Sequence, residues 1–196
     1  NSAEALHTII EAKKLAYADM ARHVADPTFH DVPVDTLLSK AYAAVRSREI
    51  DPWRANPGVA SGALTSRGGD TTYLRVTDRH GNMVSLIQST FANFGSGLVP
   101  EGTGFVLQSR GGLFTFDRAH ANALAPRKRP LHTIIPGFMT HGDARIAFGI
   151  MGGWNQSQAH VQFISNVVDH EMNIQAALEA PRVTKLTFDG YDVTAE

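Results

Sequence analysis

The chain has 196 residues, 43% of them apolar, enough for one substantial core and a second small unit. Lys plus Arg number 18 against 19 Asp plus Glu, with no long block of either sign, so charge offers no basis for binding nucleic acid or an anionic membrane. There is no cysteine, which excludes disulfides, thiolate metal sites and a cysteine nucleophile, and no stretch approaches the ~20 continuous apolar residues of a membrane span.

Residues 1–4 carry neither a charged leader nor an apolar run, and the chain lacks an initiator methionine. The expectation is therefore an excised or truncated piece of a longer protein. Leu6, Ile9, Ile10, Tyr17, Met20 and Val24 recur at three- and four-residue spacing and predict a helix over residues 2–25, capped by Asn1 or Ser2 and stopped by Asp26-Pro27. A second helix is predicted over 35–48, with Leu37, Leu38, Ala41, Tyr42 and Val45 on its inner side.

Asp51 to Asp70 holds Pro52, Pro57, Gly58, Gly62, Gly68 and Gly69 with little apolar periodicity, the composition of a flexible linker or exposed loop. From Thr72 the period becomes two. Leu74 and Val76 alternate with Arg75 and Thr77, a turn follows at Arg79-His80-Gly81-Asn82, and Val84 and Leu86 resume the pattern, which predicts a hairpin. Further strands are predicted at 104–108 and 145–151, the latter buried on both faces. Helices are predicted over 156–169 and 174–179, the last capped by Asn173 and ended by Pro181. Helices flanking a largely antiparallel strand region define an α+β class.

Common hydrolytic motifs are missing. His170-Glu171 begins like a zinc-protease helix, but position 174 is Ile, so the second histidine is lacking. There is no G-x-S-x-G elbow and no phosphate loop. What remains is Gly68-Gly69-Asp70-Thr71-Thr72, a threonine where linker meets strand. A threonine hydroxyl needs a base to take its proton, and its own α-amine serves if the preceding peptide bond is cut. A free α-amine titrates at roughly 7.7 to 8.0, so part of it is unprotonated near neutral pH. Taken alone, Thr71 reads first as an ordinary strand-entry residue. Likewise Gly152 and Gly153, after the strand at 145–151, either present backbone N–H groups to an oxyanion or form a tight turn. Phe94-Gly95-Ser96-Gly97 reads as a glycine-rich loop.

In order along the chain, Leu15-Ala16-Tyr17-Ala18-Asp19, Asp26-Pro27, Thr71-Thr72 with Val76, Asp78, Gly81 and Asn82, Phe94-Gly95-Ser96-Gly97, Lys128-Arg129-Pro130, Gly152-Gly153 and Ala180-Pro181-Arg182 resemble the gamma-glutamyltransferase family over nearly the whole length. The resemblance implies a four-layer αββα sandwich of the N-terminal-nucleophile hydrolase type, here a partial domain. It divides the chain into a helical end of the large subunit (1–50), a linker ending at a self-cleavage site between Asp70 and Thr71 (51–70), and a small catalytic subunit truncated at its C-terminus (71–196). It implies Thr71 as nucleophile, Ser89 as the hydroxyl that hydrogen-bonds to it, and Gly152 with Gly153 as the oxyanion pair, with no metal or organic cofactor.

The substrate pocket departs from the family pattern. Phe91 stands where an Asn is typical, Arg110 and Leu113 where a Gln and an Asp hold the substrate α-amino group, and His132 and Thr133 where two serines follow the Lys-Arg-Pro motif. Arg110, His132 and Thr133 are thus the expected substrate-binding residues, and exchange of an acid for Leu113 beside Arg110 disfavours an ammonium. The expected substrate is a small gamma-glutamyl or other acyl amide, a glutaryl-type amide fitting the altered charge. The remainder of the large subunit is the expected partner, because the arginine it supplies for the substrate carboxylate has no counterpart here. The alternative is a catalytically incomplete fragment or pseudoenzyme with a structural or interaction role.

Overall fold

A computed structural model of the chain describes residues 2–59, 70–187 and 190–196. Half of the predicted linker, residues 60–69, lies outside the described residues. The chain divides into two compact units. One comprises Asn1–Thr65, Gly111–Leu131 and Lys185–Glu196, and the other Ser66–Arg110 and His132–Thr184. Among the described residues no helix is long and apolar enough to cross a membrane.

The first unit is helical. α1 (Ala3–His23) starts where Ser2 Oγ accepts from Ala5 N at 3.1 Å, a cap worth about 1 kcal/mol. The single helix expected over 35–48 is instead two, α2 (Val34–Leu37) and α3 (Lys40–Ser47). The break falls at Ser39, whose Oγ accepts from Tyr42 N at 3.0 Å. A serine hydroxyl offers the backbone an alternative to the helical ladder and starts a new helix. As a result Leu38 is 80% exposed and Val45 56% exposed, contrary to their expected inward placement. Asp26 is buried and ends the first helical segment by accepting from Thr28 N at 3.1 Å, from Arg129 N at 2.9 Å and from Arg129 Nη2 at 3.0 Å. Asn122 staples the 111–131 segment by donating to Leu113 O at 2.7 Å and accepting from Leu131 N at 3.2 Å.

Among the described residues the second unit carries two antiparallel hairpins and two helices. β1 (Asp70–Thr77) pairs with β2 (Met83–Phe91), with Leu74 opposite Leu86 and Val76 opposite Val84. The predicted turn is present, Gly81 taking φ +82° as a glycine does readily. The apolar face that revealed the hairpin is largely exposed. It is Ile87, on the opposite face, that is buried, and the Tyr73 ring there lies so close to Gly149 that a Cβ at that position would sit 2.4 Å from it.

β3 (Gly137–His141), absent from the sequence expectation, pairs with β4 (Ala144–Phe148). β4 is shorter than the strand expected over 145–151 and is not buried on both faces: Ala147 is buried, whereas Ala144 and Arg145 are exposed. No strand forms at 104–108. Gly104 takes φ +69°, and this segment makes separate loop bonds, Leu107 N to Leu98 O at 2.9 Å and Ser96 N to Leu107 O at 2.8 Å, rather than a ladder. α4 (Asn155–Val168) and α5 (Ile174–Glu179) occur as expected, with Asn173 Oδ1 accepting from Ala176 N at 2.9 Å. Among the described residues the core of this unit is Ile87, Phe91, Ala147, Trp154, Ala159, Ala177, Ala180 and Val183.

Candidate active site

The β1–β2 register sets Thr71 opposite Ser89. Their hydroxyls meet, Thr71 Oγ1 donating to Ser89 Oγ at 3.0 Å. The backbone at this end of the hairpin is irregular on both strands. The register shifts between Asp70 and Thr71, and Phe91, opposite Asp70, holds φ +76°. A bulky residue in the left-handed region is strained, and such strain clusters at functional sites. That turn of the chain aims Phe91 N–H back at Ser89 Oγ, 2.9 Å away. Asp70 is anchored by its side chain, Oδ2 accepting from Phe94 N at 3.0 Å. An open pocket of about 720 Å³ is lined by Asp70, Thr71, Gln88, Ser89, Phe94 and Phe105, among others.

Gly152 and Gly153 follow β4 and enter α4. Both have positive φ, +110° and +58°. Their carbonyls accept from Asn155 N at 3.0 Å and Gln156 N at 3.1 Å. Among the described residues neither amide N–H finds an acceptor, although Gly153 is buried. Buried backbone donors are ordinarily paired, so free donors ahead of a helix N-terminus suit an anionic oxygen. The edge of the Phe91 ring lies 3.5 Å from the Cβ position of Gly153, and that ring also meets Trp154 edge to face at 6.5 Å. Among the described residues lining the pocket at Thr71, neither glycine occurs.

Arg110 has no accessible surface. Its Nη1 donates to Gln108 Oε1 at 2.8 Å and Ser89 O at 3.2 Å, and its Nη2 to Thr133 Oγ1 at 3.0 Å and Ser89 Oγ at 3.3 Å. The guanidinium carbon sits 4.9 Å from the centre of the Phe91 ring, a cation–π distance. No carboxylate among the described residues pairs with it, and burial alone lowers its pKa from the ordinary value. In this arrangement its charge acts on Ser89 and Thr133, and no guanidinium edge is open to a substrate carboxylate. Thr133 is buried as the acceptor of that bond. His132 accepts from Ile134 N at 3.2 Å, and burial, then the Arg110 charge, hold its imidazole below the usual pKa.

The fold therefore gathers Thr71, Ser89, Arg110 and Thr133 into one hydrogen-bonded chain. Reading the sequence identified each of them but not the bonds that join Arg110 to Ser89, nor Phe91 as the ring that touches both Arg110 and Gly153. No periodicity or motif announces those contacts, because they depend on which loop crosses the end of the hairpin.

The hydroxyl pair stands at a strained strand end, and Phe91, opposite Asp70, packs against Gly153 ahead of α4. The gamma-glutamyltranspeptidase family model matches residues 1–195. The chain is 38% identical over 184 residues to the glutathione hydrolase-like YwrD proenzyme of Bacillus subtilis, covering 92% of the chain and 34% of that protein. It is 36% identical to the oxamate amidohydrolase proenzyme of Klebsiella pneumoniae, covering 93% and 34%. The crystal structure of cephalosporin acylase from Bacillus halodurans superposes with a TM-score of 0.82 at 43% identity, over 100% of the chain and 35% of that structure. The chain belongs to the gamma-glutamyltranspeptidase family, with the mixed helix and strand content of its enzymes. It spans about a third of the length of the curated relatives it matches.

Proposed function

We propose that this chain is the part of an autoprocessing amide hydrolase or acyltransferase that carries its nucleophile, Thr71. The observation that supports it most directly is the Thr71–Ser89 hydroxyl pair at 3.0 Å, on a strand whose register shifts at the Asp70–Thr71 peptide bond. On this reading cleavage there separates a large-subunit region from a catalytic one, and the complete protein is a four-layer αββα sandwich. Names of the relatives, which include a hydrolase, an amidohydrolase and acylases, agree with amide cleavage as the reaction.

In the cleaved protein, Thr71 Oγ bonds to the carbonyl carbon of an acyl amide while its proton passes to the Thr71 α-amine. The oxyanion so formed is held by the free N–H groups of Gly152 and Gly153. The C–N bond of the substrate breaks, and the departing amine takes the proton. Water, or an acceptor amine, then attacks the acyl ester, and the Thr71 hydroxyl is restored. The acyl donor is best chosen without a free α-ammonium, since Arg110 brings a buried positive charge two hydrogen bonds from Thr71 Oγ and Leu113 replaces the acid expected to balance it.

Intact-mass analysis of the full-length protein tests the reading. Two fragments divided between Asp70 and Thr71 are expected, and Thr71→Ala is expected to give one uncut chain with no amide turnover. An uncut protein that hydrolyses amides would refute it.

A further inference from the structure

Ser89 Oγ is the meeting point of three donors: Thr71 Oγ1 at 3.0 Å, Phe91 N at 2.9 Å and Arg110 Nη2 at 3.3 Å. A serine hydroxyl accepts at two lone pairs and donates once. With all three partners donating, the oxygen is over-subscribed, and its own proton has no acceptor among them. Of the three, only Thr71 Oγ is able to accept, because a backbone amide and a guanidinium are donors only.

Resting on the reading of Thr71 as nucleophile, we propose that Arg110 is a positioning residue that sets the direction of the Ser89–Thr71 hydrogen bond. Together with Phe91 N–H it fills both acceptor sites of Ser89. Once cleavage frees the α-amine of Thr71, Ser89 becomes the donor to Thr71 Oγ, and the threonine proton turns to the amine that must remove it. As negative charge grows on Oγ during attack, the Ser89 O–H already points at it, polarised from behind by a guanidinium. Gln108 Oε1 and Thr133 Oγ1 hold the two Nη atoms of Arg110, Phe91 covers one face, and no carboxylate among the described residues neutralises it. An uncompensated buried cation is costly, and here its field falls on the nucleophile. The same charge opposes protonation of the Thr71 amine and so keeps more of it as base near neutral pH.

The test uses the full-length processed protein with glutaryl- and gamma-glutamyl-4-nitroanilide as probes, following whichever it turns over faster. Self-cleavage during cell-free synthesis, which needs no substrate, is followed by intact mass. Arg110→Met is expected to lower kcat on the pH plateau roughly 10- to 100-fold, the worth of one hydrogen bond to a charged group, with KM changed less than about twofold. It is also expected to slow self-cleavage and to move the acid limb of the kcat/KM profile to higher pH, because the amine loses a neighbouring cation. In a Ser89→Ala background the further loss of plateau kcat from Arg110→Met is expected to shrink to about twofold or less, since Arg110 acts through Ser89. A parental plateau kcat with an unmoved acid limb in Arg110→Met overturns the proposal. So does fully additive loss in the double variant, or a rise in KM at constant kcat, which would instead place Arg110 on the substrate. If Arg110→Met does not fold, Arg110→Gln takes its place with the same upward limb shift expected and an unshifted limb decisive against the proposal. Thr71→Ala separates the two levels: turnover in Thr71→Ala defeats the nucleophile assignment itself, whereas a dead Thr71→Ala beside an unaffected Arg110→Met defeats only the role of Arg110.

Discussion

Alanine at each of the two glycines after β4 should have unequal consequences, and the difference follows from local geometry. Gly153 has φ +58°, inside the left-handed well that an L-residue occupies at a cost of about 1–2 kcal/mol. Its added Cβ would meet the Phe91 ring at 3.5 Å, with nothing nearer, an ordinary contact. Gly152 has φ +110°, beyond that well, where an L-residue is strained by about 1–3 kcal/mol. Its Cβ would also stand 3.0 Å from Asn155 Cβ. Asn155 is the first residue of α4, and its Oδ1 accepts from Thr184 Oγ1 at 3.0 Å, so it has little room to withdraw. Crowding in a packed site adds about 1 kcal/mol or more. Gly152→Ala should therefore destabilise by about 2–4 kcal/mol and Gly153→Ala by about 1–2 kcal/mol. Urea unfolding midpoints, measured in the full-length protein carrying Thr71→Ala so that every variant stays uncut, would report the order. Equal midpoints, or a larger loss for Gly153→Ala, would refute the backbone argument. In the otherwise unmodified enzyme Gly152→Ala should also turn an N–H away from the oxyanion and lower kcat about 10²–10³-fold. Parental kcat there would remove Gly152 from the oxyanion site.

Thr71→Ser should retain some self-cleavage and some turnover, because a hydroxyl remains, as read by intact mass and by amide hydrolysis. The processed full-length enzyme should show a higher kcat/KM for a glutaryl amide than for the matched gamma-glutamyl amide, and a strong gamma-glutamyl preference in side-by-side kinetics would show that another residue accommodates the ammonium. Asp26 should govern acid stability: side-chain and backbone hydrogen bonds from Arg129, and then those from Thr28, hold its carboxyl well below the usual range, so its contribution is fully present above roughly pH 4 and is lost as pH falls through the lower folded-state value. Asp26→Asn should lower the urea midpoint at neutral pH and flatten its decline in acid, and an unchanged acid slope would place the dependence elsewhere.

The hairpin was legible in the sequence because alternation and turn chemistry are local. Counting outward from the turn at 79–82 brings Thr71 to within one residue of Ser89, and the pairing of Thr77 with Met83 in the structure settles the register. Asn173 and Ser2 likewise announced their helices, since a cap satisfies backbone donors a few residues away. The predicted helix over 35–48 failed at Ser39, where a hydroxyl competed with the helical ladder, and the strand at 104–108 failed because its groups bond to loops rather than to a neighbouring strand. Which side of the hairpin is buried was decided by tertiary packing: the apolar pattern of Leu74, Val76, Val84 and Leu86 identifies a face but not its cover, and Tyr73 and Ile87 took the packed position against the β3–β4 hairpin. The largest difference concerns Arg110. In the sequence it is one cation ahead of two glycines, expected from the family resemblance to bind substrate. In the fold it is wholly enclosed, because Ser89, Gln108, Thr133 and Phe91 converge on it from segments up to 23 residues away in the chain, and no local pattern encodes a convergence of that kind.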